Sequence, residues 1–215
     1  MTLKLYFHPL SSYCQKALIA LYETGAPFEP IMIDLFDEAS AATLRRLWPM
    51  TRFPVLRDEA RNLTIPESSI IVEYLARHHP GASRLVPDDP ELAREVRLHD
   101  RFFDFYVNDQ VTKIVTDRLR PPGQNDVFGV GEARRKLTTA LDMLEQDMAE
   151  RTWSVGESFS MADCAAAAPL NYANMVMPFS DTRRSVARYL DRLRQRPSFA
   201  RVLAEAEPYL KLMPK

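Results

Sequence analysis

The apolar positions in the first part of the chain change period at short intervals. Leu3, Leu5 and Phe7 alternate with Lys4 and Tyr6, the two-residue repeat of a strand, and Pro9 ends the ladder. From Ser12 onward Ala17, Leu18, Leu21 and Tyr22 fall at helical spacing, and Gly25 followed by Pro27 supplies a stop. Phe28 to Ile33 reads as a second strand and Ala39 to Leu47 as a short helix. Val55-Leu56 and Leu63-Thr64-Ile65 read as a hairpin, and Ser68 to His79 as a closing helix. Strand, helix, strand, helix, strand, strand, helix within residues 1–80 predicts an α/β domain, one sheet covered by helices.

Pro80-Gly81 and Pro87-Asp88-Asp89-Pro90 then punctuate the chain, with Asp89 placed to cap a helix that begins at Pro90, so residues 81–89 read as a linker. Beyond it the periodicity is helical throughout: Pro90 to about Leu119, Glu132 to Glu150, Met161 to about Met175, and Arg183 to Arg194. Leu137, Leu141, Leu144 and Met148 share one face, whereas Pro121 to Gly131 reads as loop. Residues 90–215 are therefore expected to form an all-helical bundle. Within it Ser160 and Asp163 have the spacing of a capping box, with Phe159 stapled against Cys164, a structural motif.

Composition narrows the function without choosing it. The 215 residues are 46% hydrophobic and 27% charged with a formal net charge of -1, so nothing in the charge favours nucleic acid or an acidic membrane. Two cysteines, Cys14 and Cys164, suggest neither a disulfide framework nor a zinc cluster and fit a reducing, cytoplasmic setting. MTLKLYF lacks the apolar core of a signal peptide, and no apolar run approaches the ~20 residues that span a bilayer. His8, His78, His79 and His99 show no metal-ligand spacing; solvated or locally bonded histidine is the default, and no metal is expected.

The chemistry-bearing stretch is FHPLSSYCQK, residues 7–16, at the junction of the first strand and helix. Ser11, Ser12 and Cys14 stand at one turn. Small polar residues there either cap the helix or use its positive end to hold a reactive anion. Cys14 sits where a thioredoxin-like redox motif carries its second cysteine, but no first cysteine precedes it, so the dithiol mechanism is missing.

Three stretches resemble the glutathione transferase family. SSYCQKALIAL is similar to the serine-led start of helix one in the theta, zeta and phi classes. Residues 48–56, WPMTRFPVL, are similar to the family's Asn-Pro-x-Gly-Lys-Val-Pro-x-Leu stretch, whose proline is cis. IPESSIIVEYL, residues 65–75, matches the Glu/Gln-Ser-x-x-Ile-x-x-Tyr-Leu pattern, and Ser160-Met161-Ala162-Asp163 resembles the capping box of a core helix in the second domain. The stretches occur in the family's order and spacing. Trp48, Thr51, Arg52 and Phe53 depart from its Asn, Gly, Lys and Val.

The resemblance implies an amino-terminal thioredoxin-like domain, a homodimer, and a detoxifying transfer of glutathione to small hydrophobic electrophiles. It places Ser11 at the activating position, donating its hydroxyl to the glutathione sulfur, with Ser12, Tyr6 and Cys14 as alternatives. Arg52, Phe53, Pro54, Val55, Glu67 and Ser68 would hold glutathione. Val55 would present its amide and carbonyl to the cysteinyl part, Ser68 would meet the γ-glutamyl carboxylate, and Glu67 its ammonium. Leu10, Phe102, Phe103, Tyr106, Val107, Gln110 and Ile114 are the expected electrophile pocket. A thiol transferase or peroxidase acting through Cys14, and a binding or assembly protein of the same fold, are the alternatives.

Overall fold

A computed structural model describes residues 2–79, 81, 84–179 and 182–213. The chain divides into two compact units: Met1–Val86 with Ser198–Leu210, and Pro87–Pro197 with Lys211–Lys215. Pro80, Ala82 and Ser83 of the expected helix end and linker lie outside the described residues.

The first unit is built on β1 (Leu3–Phe7), α1 (Ser12–Thr24), β2 (Phe28–Met32), α2 (Glu38–Leu47), β3 (Val55–Asp58), β4 (Leu63–Pro66) and α3 (Ser68–His78). Its sheet runs β2-β1-β3-β4, with β1 and β2 parallel and the other pairs antiparallel. Alternation along β1 sends Leu3 and Leu5 into full burial, while Tyr6 packs with Trp48 and Phe53 against Ile33, Leu44 and Val55. α1 is buried along Cys14–Leu21 and closes on Gly25, whose φ of 66° is the left-handed cap that glycine adopts without steric cost.

Residues 90–215 are expected to lie wholly in the second unit, yet α9 (Pro197–Ala206) from Ser198 onward, and the 3-10 segment Glu207–Leu212 as far as Leu210, group with the first. Side chains far apart in sequence hold it there. Ser198 Oγ donates to Glu23 Oε1 at 2.5 Å, Tyr22 Oη donates to Glu205 at 2.7 Å, and the Arg201 guanidinium lies 4.0 Å above the Tyr22 ring.

The second unit contains α4 (Pro90–Phe102), a π-helical turn (Phe103–Asn108), α5 (Asp109–Asp117), α6 (Val127–Asp147), α7 (Met161–Val176) and α8 (Arg184–Gln195). α4 starts at the Asp89 cap, whose carboxylate accepts from Leu92 N at 2.7 Å. α6 begins five residues before the expected Glu132, taking Gly129 and Gly131 into the helix. Asp126 caps it, accepting from Gly129 N at 2.8 Å, and is itself fixed by Lys113 and by Asp117. The core is the alanine-rich α7, buried from Met161 to Leu170, with Phe103, Val107, Leu137, Leu141, Tyr189 and Leu193 around it.

Candidate functional site

At the start of α1 the chain turns through His8-Pro9-Leu10-Ser11, closed by Ser11 N donating to His8 O at 3.1 Å. Ser11 is extended (φ -76°, ψ 123°), and its Oγ accepts from Cys14 N at 3.3 Å. It is therefore the helix cap, and its hydroxyl also stands beside the Cys14 thiol. Ser12 opens the helix itself.

Cys14 is fully buried, and its Sγ accepts from His8 N at 3.4 Å. Burial pushes the thiol up to about 12, against the pull of the Ser11 hydroxyl and the His8 amide. At neutral pH it stays a thiol. The expected alternative nucleophile thus lacks both thiolate and exposure. Tyr6, the other alternative, is a strand residue between Ile31 and Val55 with its ring in the cluster below α2.

The second part is the turn after α2. Thr51, where the family pattern has glycine, takes a φ of 53°, and the Phe53–Pro54 peptide is cis. Pro54 and Val55 are buried. Val55 lies inside the sheet, opposite Tyr6 of β1 and Pro66 of β4. A residue in an antiparallel ladder sends its N–H and C=O toward one neighbour. The expectation has this same main chain meeting a ligand. Phe53 lies just outside β3, and no hydrogen bond to its main chain is found among the described residues.

The third part is the start of α3. Glu67 is exposed and adopts φ 71°, ψ 120°, a strained region for a residue with a side chain, and makes no side-chain cap. Ser68 and Ser69 are 4% and 3% exposed, and Lys16, itself buried, donates to Ser69 Oγ at 2.8 Å. The amino end of α3, without a side-chain cap from Glu67, is of the kind that favours a negative charge. Arg52 is exposed and forms no ion pair among the described residues.

Neither periodicity nor motif spacing marks the His8 ring and Tyr209 as neighbours of this turn. The His8 ring stacks on Phe53 with centroids 6.0 Å apart and meets Tyr209 edge-on at 6.1 Å. Its Nδ1 accepts from Leu10 N at 3.3 Å. Burial lowers its pKa, with Asp34 pulling the other way.

The expected electrophile pocket separates into two groups. Phe103 and Val107 are 0% exposed and Ile114 2%, so these three are core of the helical unit, a correction. Phe102, Tyr106 and Gln110 instead line a groove of about 670 Å³ within that unit, closed on the other side by Met143 and Leu144 of α6. Leu10 is half-buried beside the α1 turn. Among the described residues no three His, Cys, Asp or Glu side chains are placed to share a metal ion.

Profiles of the glutathione S-transferase N-terminal and C-terminal domains match residues 5–83 and 99–197. A glutathione S-transferase from Methylobacterium radiotolerans, solved with glutathione sulfonate, is 30% identical with a TM-score of 0.82, covering 93% of each chain. One from Methylobacillus flagellatus, solved with glutathione bound, is 26% identical with a TM-score of 0.85, covering 93% of this chain and 98% of that one. FtsZ-localized protein A of Caulobacter vibrioides is 29% identical over 96% of this chain and 92% of its own. With both profiles matched in order over most of its length, the chain belongs to the glutathione S-transferase family.

Proposed function

We propose that the protein binds glutathione in its first unit, holds the thiol as thiolate beside Ser11, and joins the sulfur to an electrophilic carbon of small apolar compounds. The observation that carries this reading is the Ser11 hydroxyl at the cap of α1, fixed there by the Cys14 N–H that its oxygen accepts. A thiol near pKa ~8.5 must be lowered by about two units, roughly 2.7 kcal/mol, to be mostly ionised at neutral pH. A hydrogen bond to a charged group supplies about 1.5–3 kcal/mol, and the amino end of α1 adds ~0.3–1. Together they reach the required size.

In this reading Phe53 presents its main chain to the cysteinyl part, in place of Val55. Ser68 and the amides of α3 hold the γ-glutamyl carboxylate, the Glu67 carboxylate meets the ammonium, and Arg52 meets the glycyl carboxylate. Relatives solved with glutathione or its sulfonate support the assignment of the ligand. The protein acts in the cytoplasm as a homodimer, and the apolar groove beside Tyr106 is the surface that supports self-association.

The test is a glutathione titration followed by ultraviolet thiolate absorbance across neutral pH. The parent should show saturable thiolate, and Ser11→Ala should bind glutathione with that signal lost. Thiolate of equal size in Ser11→Ala would refute the assignment. A second reading, glutathione binding in the service of assembly, is favoured by the relative named for its localisation with FtsZ. It predicts a folded, glutathione-binding protein without turnover on any electrophile.

A further inference from the structure

We propose that His8 donates a hydrogen bond to the electrophile, and that this selects compounds whose reacting carbon is conjugated to an oxygen, α,β-unsaturated ketones in particular. The inference rests on the transferase reading above. Three observations carry it. Leu10 N donates to His8 Nδ1 at 3.3 Å, so Nδ1 is the acceptor and the neutral ring carries its proton on Nε2. No partner for that N–H is found among the described residues.

The hydrogen bond from Ser11 N to His8 O makes these the last and first residues of one β-turn, which holds their Cα atoms within about 7 Å. In an enone the carbonyl oxygen lies three bonds, about 3–3.6 Å, beyond the carbon that sulfur attacks, so sulfur at Ser11 and a donor from His8 on the same turn address neighbouring parts of one molecule. The ring is also flanked by Phe53 and Tyr209, which form apolar walls suited to a flat conjugated molecule. The charged and titratable groups around it are Asp34, Cys14 and Tyr209. Burial keeps the imidazole on the neutral side, so it acts as a fixed donor and not as a cation.

The step balances without an added reagent. The thiolate sulfur bonds to the β-carbon, and the C=C π pair shifts to leave negative charge on the carbonyl oxygen as an enolate. The His8 N–H stabilises that charge. A proton from solvent then adds at the α-carbon, replacing the one lost when glutathione ionised, and nothing leaves.

The test compares kcat/KM for benzylideneacetone and benzyl chloride, which share a phenyl ring but differ in the conjugated oxygen. In His8→Phe, which keeps the ring stack and removes the donor, the ratio of the two should fall about tenfold to a hundredfold. His8→Gln, whose terminal amide restores an N–H, should recover most of the loss. His8→Asn, whose amide stops short of that position, should resemble His8→Phe and serves if the latter does not fold.

A ratio within about twofold of the parent in His8→Phe or His8→Asn overturns the inference, as does an equal fall in His8→Gln. A parent that turns over benzyl chloride but not benzylideneacetone also overturns it while leaving the transferase reading intact. A parent that binds glutathione by calorimetry but turns over neither removes both.

Discussion

Replacing Asp163 tests whether the second unit is organised around a buried carboxylate. A capping box at a helix surface is worth about 0.5–2 kcal/mol. Here Asp163 is 0% exposed and takes four hydrogen bonds: from Ser160 N and Ser154 N, each at 2.9 Å, from Ser160 Oγ at 3.2 Å, and from Tyr189 Oη at 2.6 Å. Burial raises its pKa, and the same hydrogen bonds pull it down. Asp163→Ala removes the cap and strands the Ser154 amide and Tyr189 hydroxyl. A stranded buried donor costs about 1–3 kcal/mol, so the total loss should be about 3–5. Urea unfolding, followed by far-ultraviolet circular dichroism and by the fluorescence of Trp153 beside this network, reads it out. Tyr189→Phe should lose about 1 kcal/mol alone, and the double variant should fall short of additivity by at least about 1. A loss below about 1 kcal/mol for Asp163→Ala, additive with Tyr189→Phe, would show that the box acts only as a surface cap and refute the reasoning.

The amino end of α8 has no side-chain cap of its own, and Glu145 of α6 supplies one, accepting from Ser185 N at 2.9 Å and Val186 N at 3.0 Å. Burial alone would raise the Glu145 carboxyl, but these amides hold it below its usual 4.5. Its stabilisation is therefore present above pH 4.5 and lost as pH falls through the lowered folded value, and melting curves between about pH 3 and 6 should show a shallower acid decline in Glu145→Gln than in the parent. Thr51→Gly, at φ 53°, should stabilise by about 0.5–1 kcal/mol in urea titration, the relief of a left-handed residue exceeding the added chain entropy. A lower midpoint would contradict this. Tyr106→Glu places a charge on the rim of the apolar groove; light scattering on a sizing column should show a dimeric parent become monomeric, and an unchanged mass would remove the groove from the interface.

Local regularities made most of the first unit legible. Alternation in β1, the cap and αL stop of α1, and the Asp89-Pro90 start of α4 depend on neighbours in sequence, and each stands where the pattern puts it. The π-helical turn was not legible, because one inserted residue leaves a helical stripe looking helical while rotating everything after it. Phe102 and Phe103, on either side of its start, have opposite fates, one on the groove and the other in the core. The early start of α6 was hidden by Gly129 and Gly131, whose weak propensity is overridden by Asp126 and the side chains that fix it.

The same division separates the two halves of the candidate site. Activating a thiol needs a hydroxyl, a helix start and a sharp turn, and each of these is specified within a few consecutive residues. Ser11, the Phe53–Pro54 turn and the Ser68 helix start could therefore be read as motifs. Receiving an electrophile needs walls, and walls come from residues joined only by folding. His8 is defined by Phe53, forty-five positions away, and by Tyr209, nearly the whole chain away. Tyr209 is held in place by α9 contacts such as Ser198 to Glu23 and Tyr22 to Glu205, pairs with no periodic trace. In the proposed reading substrate choice is thus encoded in long-range contacts around a locally encoded sulfur site, and exchanging His8 should change which electrophile is taken while leaving the Ser11-dependent thiolate signal intact.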